Sequence, residues 1–377
     1  MIVLVLIIMA IAAIGGLYLI RTWAAKGPPA RPKRVLSQSR VIAPTEFSSP
    51  PVADAAATAP ELVMPAKLAE FSFLGRDSLT IEHRQALVAQ LRTVPRPPLS
   101  LYKLVSAEFL DSATSSEISD LIMGEALIAA QVLARVNSPF YGLRTPVLSI
   151  GQAVTFIGLN AVRSICLRYM LAESFKATSV EHRLVFDRVL AASAMANEMC
   201  FTLSHQLNMP EQGSLVTQVV LSFLGHLAAV SLIPIDSLLW TDGNGLIERA
   251  NAEQSQLGLS ATEIGSLLME EWGLPISLIQ EVSEIDRILL LPVAAIEPSR
   301  GARLALCYLC ARLGERLALG SLSNLAEVDL ASDSSAEFFH LRAYLELPRL
   351  ARLNEFLHSA ELVKSIEHMQ LAARLHR

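Results

Sequence analysis

Cysteine, aromatic and charged residues are all scarce in this chain, and each shortage removes a class of function. The four cysteines follow no framework spacing, which excludes a disulfide-stapled secreted scaffold and fits a reducing compartment. Cys307 and Cys310 form the single Cys-x-x-Cys. Neither a second ligand pair for zinc nor a preceding strand for a redox motif accompanies them, and Leu304, Leu306, Leu309 and Leu313 place them on a helix. With Cys166 and Cys200 they read as unpatterned core thiols. Aromatics reach only 6% while leucine and alanine abound, which favours helix over sheet. Charged residues are 18%, the net charge is −5, and no basic stripe is present, so no nucleic-acid partner is expected. Phosphate-cradling glycine loops, a nucleophile elbow and internal repeats are missing too.

Charge is absent altogether from Met1 to Ile20. Twenty residues at a helical rise span about 30 Å, the thickness of a bilayer's hydrocarbon core. Arg21, Lys26, Arg31, Lys33 and Arg34 follow, and the positive-inside rule then puts the rest of the chain in the cytoplasm. A cleaved secretory signal would carry its positive charge before the apolar run. Residues 1–22 are therefore expected to be a single-pass anchor in the cytoplasmic (inner) membrane. Residues 23–76, rich in proline and alanine, are expected to be a flexible linker.

Beyond the linker the chain reads as all-α. Ile81, Leu87, Val88 and Leu91 share a helical face, which Val94-Pro95-Arg96-Pro97-Pro98 ends. Thr114 and Glu117 make a capping box. Leu127, Val132, Leu133 and Val136 form an apolar stripe up to Asn137, where Pro139 stops the helix. Asn137 and Ser138 can bond backbone groups left free at that end. Phe140 and Tyr141, beside Gly142, are expected to be largely buried and to pin a core corner. Ser149 with Gln152 starts a helix that Gly158 closes, and Asn160 is placed to cap the next one. Ser260 with Glu263 predicts another box before Ile264, Leu267, Leu268 and Trp272, and Gly273-Leu274-Pro275 stops that helix. Trp240 to Gly245 reads as an exposed turn-rich loop.

Asn137, Ser138, Phe140, Tyr141, Gly142, Ser149, Ile150, Ala153, Val154, Gly158, Leu159, Val162 and Arg163 follow, in order and spacing, the pattern a-N-S-a-x-Y-G then S-I-x-x-A-V-x-x-L-G-L-x-x-V-R. That pattern resembles the HDOD domain, the output-domain branch of the HD phosphohydrolase superfamily. Gly265, Leu268, Trp272, Leu274 and Pro275 supply a second hallmark, G-x-x-L-x-x-x-W-x-L-P. The resemblance implies an HDOD-like multi-helix domain over residues 77–292, followed by a C-terminal helical extension over 293–377. It also marks Asn137, Ser138, Phe140, Tyr141, Gly142, Ser149, Gly158, Arg163, Trp272 and Pro275 as a structural signature and candidate binding corner.

HD phosphohydrolases hold divalent metal through an early His, a His-Asp pair and later ligands, because such donors bind metals that activate water. In the resemblance Ser222 and Phe223 fall at the His-Asp pair, Ser260 falls at a further His, and no His stands near Val189. His182, His205 and His226 remain as other possible ligands, with no spacing that pairs them on one face. The resemblance therefore implies a non-catalytic signalling module without a metal or other cofactor, acting on an unknown protein of a signalling pathway, and the charge-free first segment implies that it is bound to the membrane. A divergent metal-dependent phosphohydrolase is the competing expectation.

Overall fold

The structure, a computed structural model, describes residues 63–97, 103–104, 109, 113–138, 141–175, 177 and 179–375. The expected anchor over 1–22, most of the expected linker, and Pro139 and Phe140 of the corner lie outside the described residues. No strand occurs among the described residues, and helices account for the fold as composition predicts.

In chain order these are α1 (Ala66–Ala69), α2 (Ile81–Leu91), α3 (Ser115–Met123), α4 (Ala126–Val136), α5 (Ile150–Ile157), α6 (Leu159–Ser174), α7 (Val180–Gln206) and α8 (Gln212–Ser222). Then come α9 (Leu224–Leu232), α10 (Leu246–Leu257), α11 (Ala261–Trp272), α12 (Ile276–Ser283), α13 (Pro298–Leu319), α14 (Leu341–Leu345), α15 (Leu353–Leu357) and α16 (Ala360–Leu375). Local chemistry sets many of the ends. Thr114 and Glu117 form the reciprocal capping box of α3. Gly158, at φ +83°, turns the chain by 118° between α5 and α6. Gly273 and Gly320 take the left-handed conformation that closes α11 and α13.

Two long helices, α7 and α13, lie along one another as the axis of the fold, with α8, α15 and α16 packed on α7. Their contact is close because Gly314 of α13 faces the Ala192 carbonyl and Ala196 of α7. A second close contact joins α9 to α11, where Gly225 sits on the backbone of Ala261 and Gly265. Gly265 of the second family hallmark thus meets Gly225. Among the described residues the straight apolar stretch long enough to cross a membrane, Gln212–Leu232, is mostly buried and is a core segment.

Several expectations are corrected. Packed structure starts before residue 77: Leu68 and Phe71 are buried. Residues 67–92 are tied down by Lys67 to Glu248, Arg76 to Glu263 and Glu270, and Arg92 to Glu271. Gln254 also bonds the backbone of Ser72 and Leu74. The extension expected from residue 293 packs into the same body, since α13 is central. Leu127 is 72% exposed, and Ile128 takes its place beside Val132 and Val136. Gly158, not Asn160, occupies the N-cap of α6, and the Asn160 amide instead faces Gly213. Ser260 caps nothing: Glu253 accepts from the Ala261 amide, while Glu263 is drawn to Arg76. Trp240 is buried, although Asp242 and Gly243 after it are exposed.

Candidate functional site

Asn137 closes the signature loop. Its Nδ2 donates to the Leu133 carbonyl at 2.9 Å and the Val147 carbonyl at 2.8 Å, and its Oδ1 accepts from the Val147 amide at 2.7 Å. One amide side chain therefore acts as a strand-like partner for residue 147 and fixes both ends of the loop. Within the loop the Tyr141 amide donates to Ser138 O, and Gly142 adopts φ +58°. Ser149 caps α5 by accepting from the Gln152 amide, while Gln152 accepts from the amide of Leu148, one residue before the cap. The Ser138 hydroxyl is buried without a partner.

Arg163 works behind the corner. It is buried, donates to the carbonyls of Leu104 and Gly213, and contacts the Thr217 hydroxyl. Burial pulls its guanidinium down to about 9. These bonds fasten α6 to the Leu104 segment and to the first turns of α8, so Arg163 is a latch with no surface to offer a ligand. Trp272 and Pro275 belong to the α11–α12 junction: the Trp272 ring is buried, and Pro275 precedes α12. Neither residue lines the cavities beside Tyr141.

Tyr141 departs from expectation. It is half-buried and lines a cavity of about 260 Å³ with Arg135, Phe156, Arg168, Asn197 and Glu198. Burial raises its hydroxyl pKa, against the opposing pull of Arg135. Burial likewise raises the Glu198 carboxyl, which accepts from the Ser365 hydroxyl at 2.8 Å. An adjoining cavity of about 310 Å³ shares Arg135, Arg168, Ala194 and Met369 with the first.

At the expected metal positions, the Ser222 hydroxyl donates to Val219 O of its own helix, Phe223 is buried, and the buried Ser260 hydroxyl has no partner. His182 and His205 stand at opposite ends of α7, about 35 Å apart along the helix. No three His, Cys, Asp or Glu side chains form a metal-ligand group among the described residues. His226 is buried with Nδ1 3.5 Å from Glu253 and Nε2 3.8 Å from Glu315.

His226 belongs to a buried charge network. Glu315 meets Arg249 and, at 3.1 Å, Arg312; Arg312 also reaches Asp286 at 3.4 Å. Asp286 accepts from the Thr262 hydroxyl, and the Arg249 guanidinium lies 4.7 Å from the Trp240 ring centre. Burial acts to lower the Arg312 pKa, but Glu315 and Asp286 more than offset it and leave it raised. Sequence reasoning missed this network. Its traces were Arg249 with Glu253 and Arg312 with Glu315, spacings that normally mark surface ion pairs on a helix.

No curated protein shows significant similarity to the chain. Among solved structures, an HDOD domain protein of unknown function from Geobacter sulfurreducens is 17% identical with a TM-score of 0.53, covering 78% of this chain and 98% of its own. A Shewanella amazonensis SB2B protein provisionally described as a phosphohydrolase is 18% identical with a TM-score of 0.50, covering 76% of this chain and 97% of its own. Both share the fold. The sequence model of the HDOD domain matches residues 94–288, just over half of the 377 residues, and the chain belongs to the HDOD domain family.

Proposed function

We propose that this chain is a membrane-tethered HDOD module of a bacterial signalling pathway, facing the cytoplasm and acting by binding a protein partner without catalysis. The observation that carries the reading is the chemistry at the family's ligand positions. Phe223 has no donor atom, Ser222 is committed to its own helix, and Ser260 is a weak ligand. A hydrolytic metal centre needs three or more converging donors and a site for water. The charge-free run before Arg21 supports the anchor, and the positive residues after it support the orientation.

Full-length protein purified from detergent-solubilised membranes is expected to hold no stoichiometric Mn, Fe, Zn or Mg. It is also expected to leave phosphomonoesters, nucleotides and cyclic dinucleotides intact. Near-stoichiometric transition metal, lost when His226 is replaced by alanine, would instead favour the phosphohydrolase reading. A reporter fused after Arg377 should behave as cytoplasmic, and an extracytoplasmic signal would sink the topology.

A further inference from the structure

The two cavities beside the signature loop meet at a common waist. Arg135 and Arg168 line both, so two guanidinium-bearing side chains stand where the lobes join. The Arg168 Nε is buried without an acceptor, and the Asn197 Oδ1 is buried without a donor. Burial, together with the like charge of Arg135, pulls the Arg168 guanidinium down to about 10. Glu198 is the one carboxylate lining the first lobe, and burial pushes its pKa up. A half-buried guanidinium whose Nε lacks an acceptor, beside a second guanidinium, offers donors that an added anion would satisfy.

The walls say what that anion carries. Tyr141, Phe156 and Phe201 bring aromatic surface to the first lobe, while Leu190, Ala191 and Met195 add apolar surface to the second, beside the Asp187 carboxylate. Arginine pairs with planar carboxylates and with phosphates through paired N–H donors. Volumes of about 260 and 310 Å³ sit at the small end of ligand pockets, which suits a single ring with one charged group better than a polymer. One wall, α16 with Met369, Ala372 and Ala373, lies beyond the residues matched by the family.

We propose that this cleft binds a small aromatic anion, its carboxylate or phosphate held between Arg135 and Arg168 and its ring lodged against Tyr141, Phe156 and Phe201. This goes beyond the signalling reading, since a protein-docking module can function with the cleft empty, and either idea can fail alone.

The test uses the full-length protein in detergent with phenyl phosphate, benzoate, inorganic phosphate and the neutral control phenol, read by isothermal titration calorimetry and amide hydrogen exchange. Phenyl phosphate or benzoate should bind at least about tenfold more tightly than phenol. Comparing those two separates a phosphate from a carboxylate preference. Binding should slow exchange in residues 161–168. Arg168→Gln should weaken the anionic probe about tenfold or more. Phe156 is 55% exposed and can be changed without disturbing the core. Phe156→Ala should therefore weaken the aromatic anion but leave inorganic phosphate unchanged. If Arg168→Gln does not fold, Phe156→Ala and the exchange pattern decide. The proposal is overturned if neither aromatic anion binds at about 10 mM, if phenol matches them, or if binding survives Phe156→Ala with no protection in 161–168.

Discussion

Asn137 shows how much one side chain can organise. Its three hydrogen bonds, two of them to Val147, close the connection between α4 and α5. Asn137→Ala should cost about 1–3 kcal/mol, because the part-buried backbone groups of Val147 lose their partner, and urea denaturation measures it. Glu198 gives a pH signature of the less usual sign. Its carboxyl is raised above the ordinary 4.5, chiefly by burial. The folded state therefore holds that proton more tightly than the unfolded chain does. Its contribution favours folding at low pH and is lost as pH rises from about 4.5 through the raised value. Glu198→Gln should abolish that loss, so the melting temperature of the variant relative to wild type should climb with pH above 4.5. A flat difference would mean that the carboxyl is not raised. At this scale the sequence told which residues matter more readily than how. Asn137 was legible as a helix-end amide, but its partner ten residues on was not. Tyr141 looked like core because aromatic size says nothing about which face of a turn meets solvent.

Helices were legible wherever local chemistry decides them. The Thr114 box and the Gly158 and Gly273 breaks all form as their residue types dictate. The Ser260–Glu263 pattern failed because tertiary partners won: Arg76 holds Glu263, and Glu253 reaches the amide that Ser260 would serve. What spacing could not show was that Gly225 and Gly265 oppose each other across α9 and α11. A Cβ on Gly225 would strike the Ala261 carbonyl, whereas one on Gly265 would lie 3.0 Å from the Gly225 nitrogen. Both substitutions should force the helices apart, and overpacking of this kind typically costs about 1–3 kcal/mol or more. Gly225→Ala is expected to be the more damaging, since its Cβ would overlap the Ala261 backbone outright whereas that on Gly265 only presses against the Gly225 backbone. Melting temperatures of both alanine variants equal to that of the wild type would show that α9 and α11 separate freely.

For the whole molecule the question is where the folding unit ends, and the family pattern stops short of the answer. Of the buried charges, His226, Arg249, Glu253 and Asp286 lie within residues 94–288, while Arg312 and Glu315 come from α13. A chain ending at residue 292, where the family resemblance placed a boundary, would leave Asp286 without Arg312 and Arg249 without Glu315. Breaking a buried ion pair on one side typically costs about 3–5 kcal/mol, and two would be broken together. The same cut uncovers the face of α7 at Ala192 and Ala196, against which Gly314 packs. Whole-domain stabilities are about 5–15 kcal/mol, so the combined loss is comparable to everything the fold has. The charges on α13 were unreadable as core because Arg312 and Glu315, three apart, satisfy each other as a surface pair would; only the arrival of α9, α10 and Asp286 around them makes them interior. Full-length protein should therefore show one cooperative unfolding transition for the helical body, while the chain truncated after residue 292 should show none by near-ultraviolet circular dichroism or calorimetry. A cooperative melt in the truncated protein would mean that the family portion folds alone and that α13 only docks onto it.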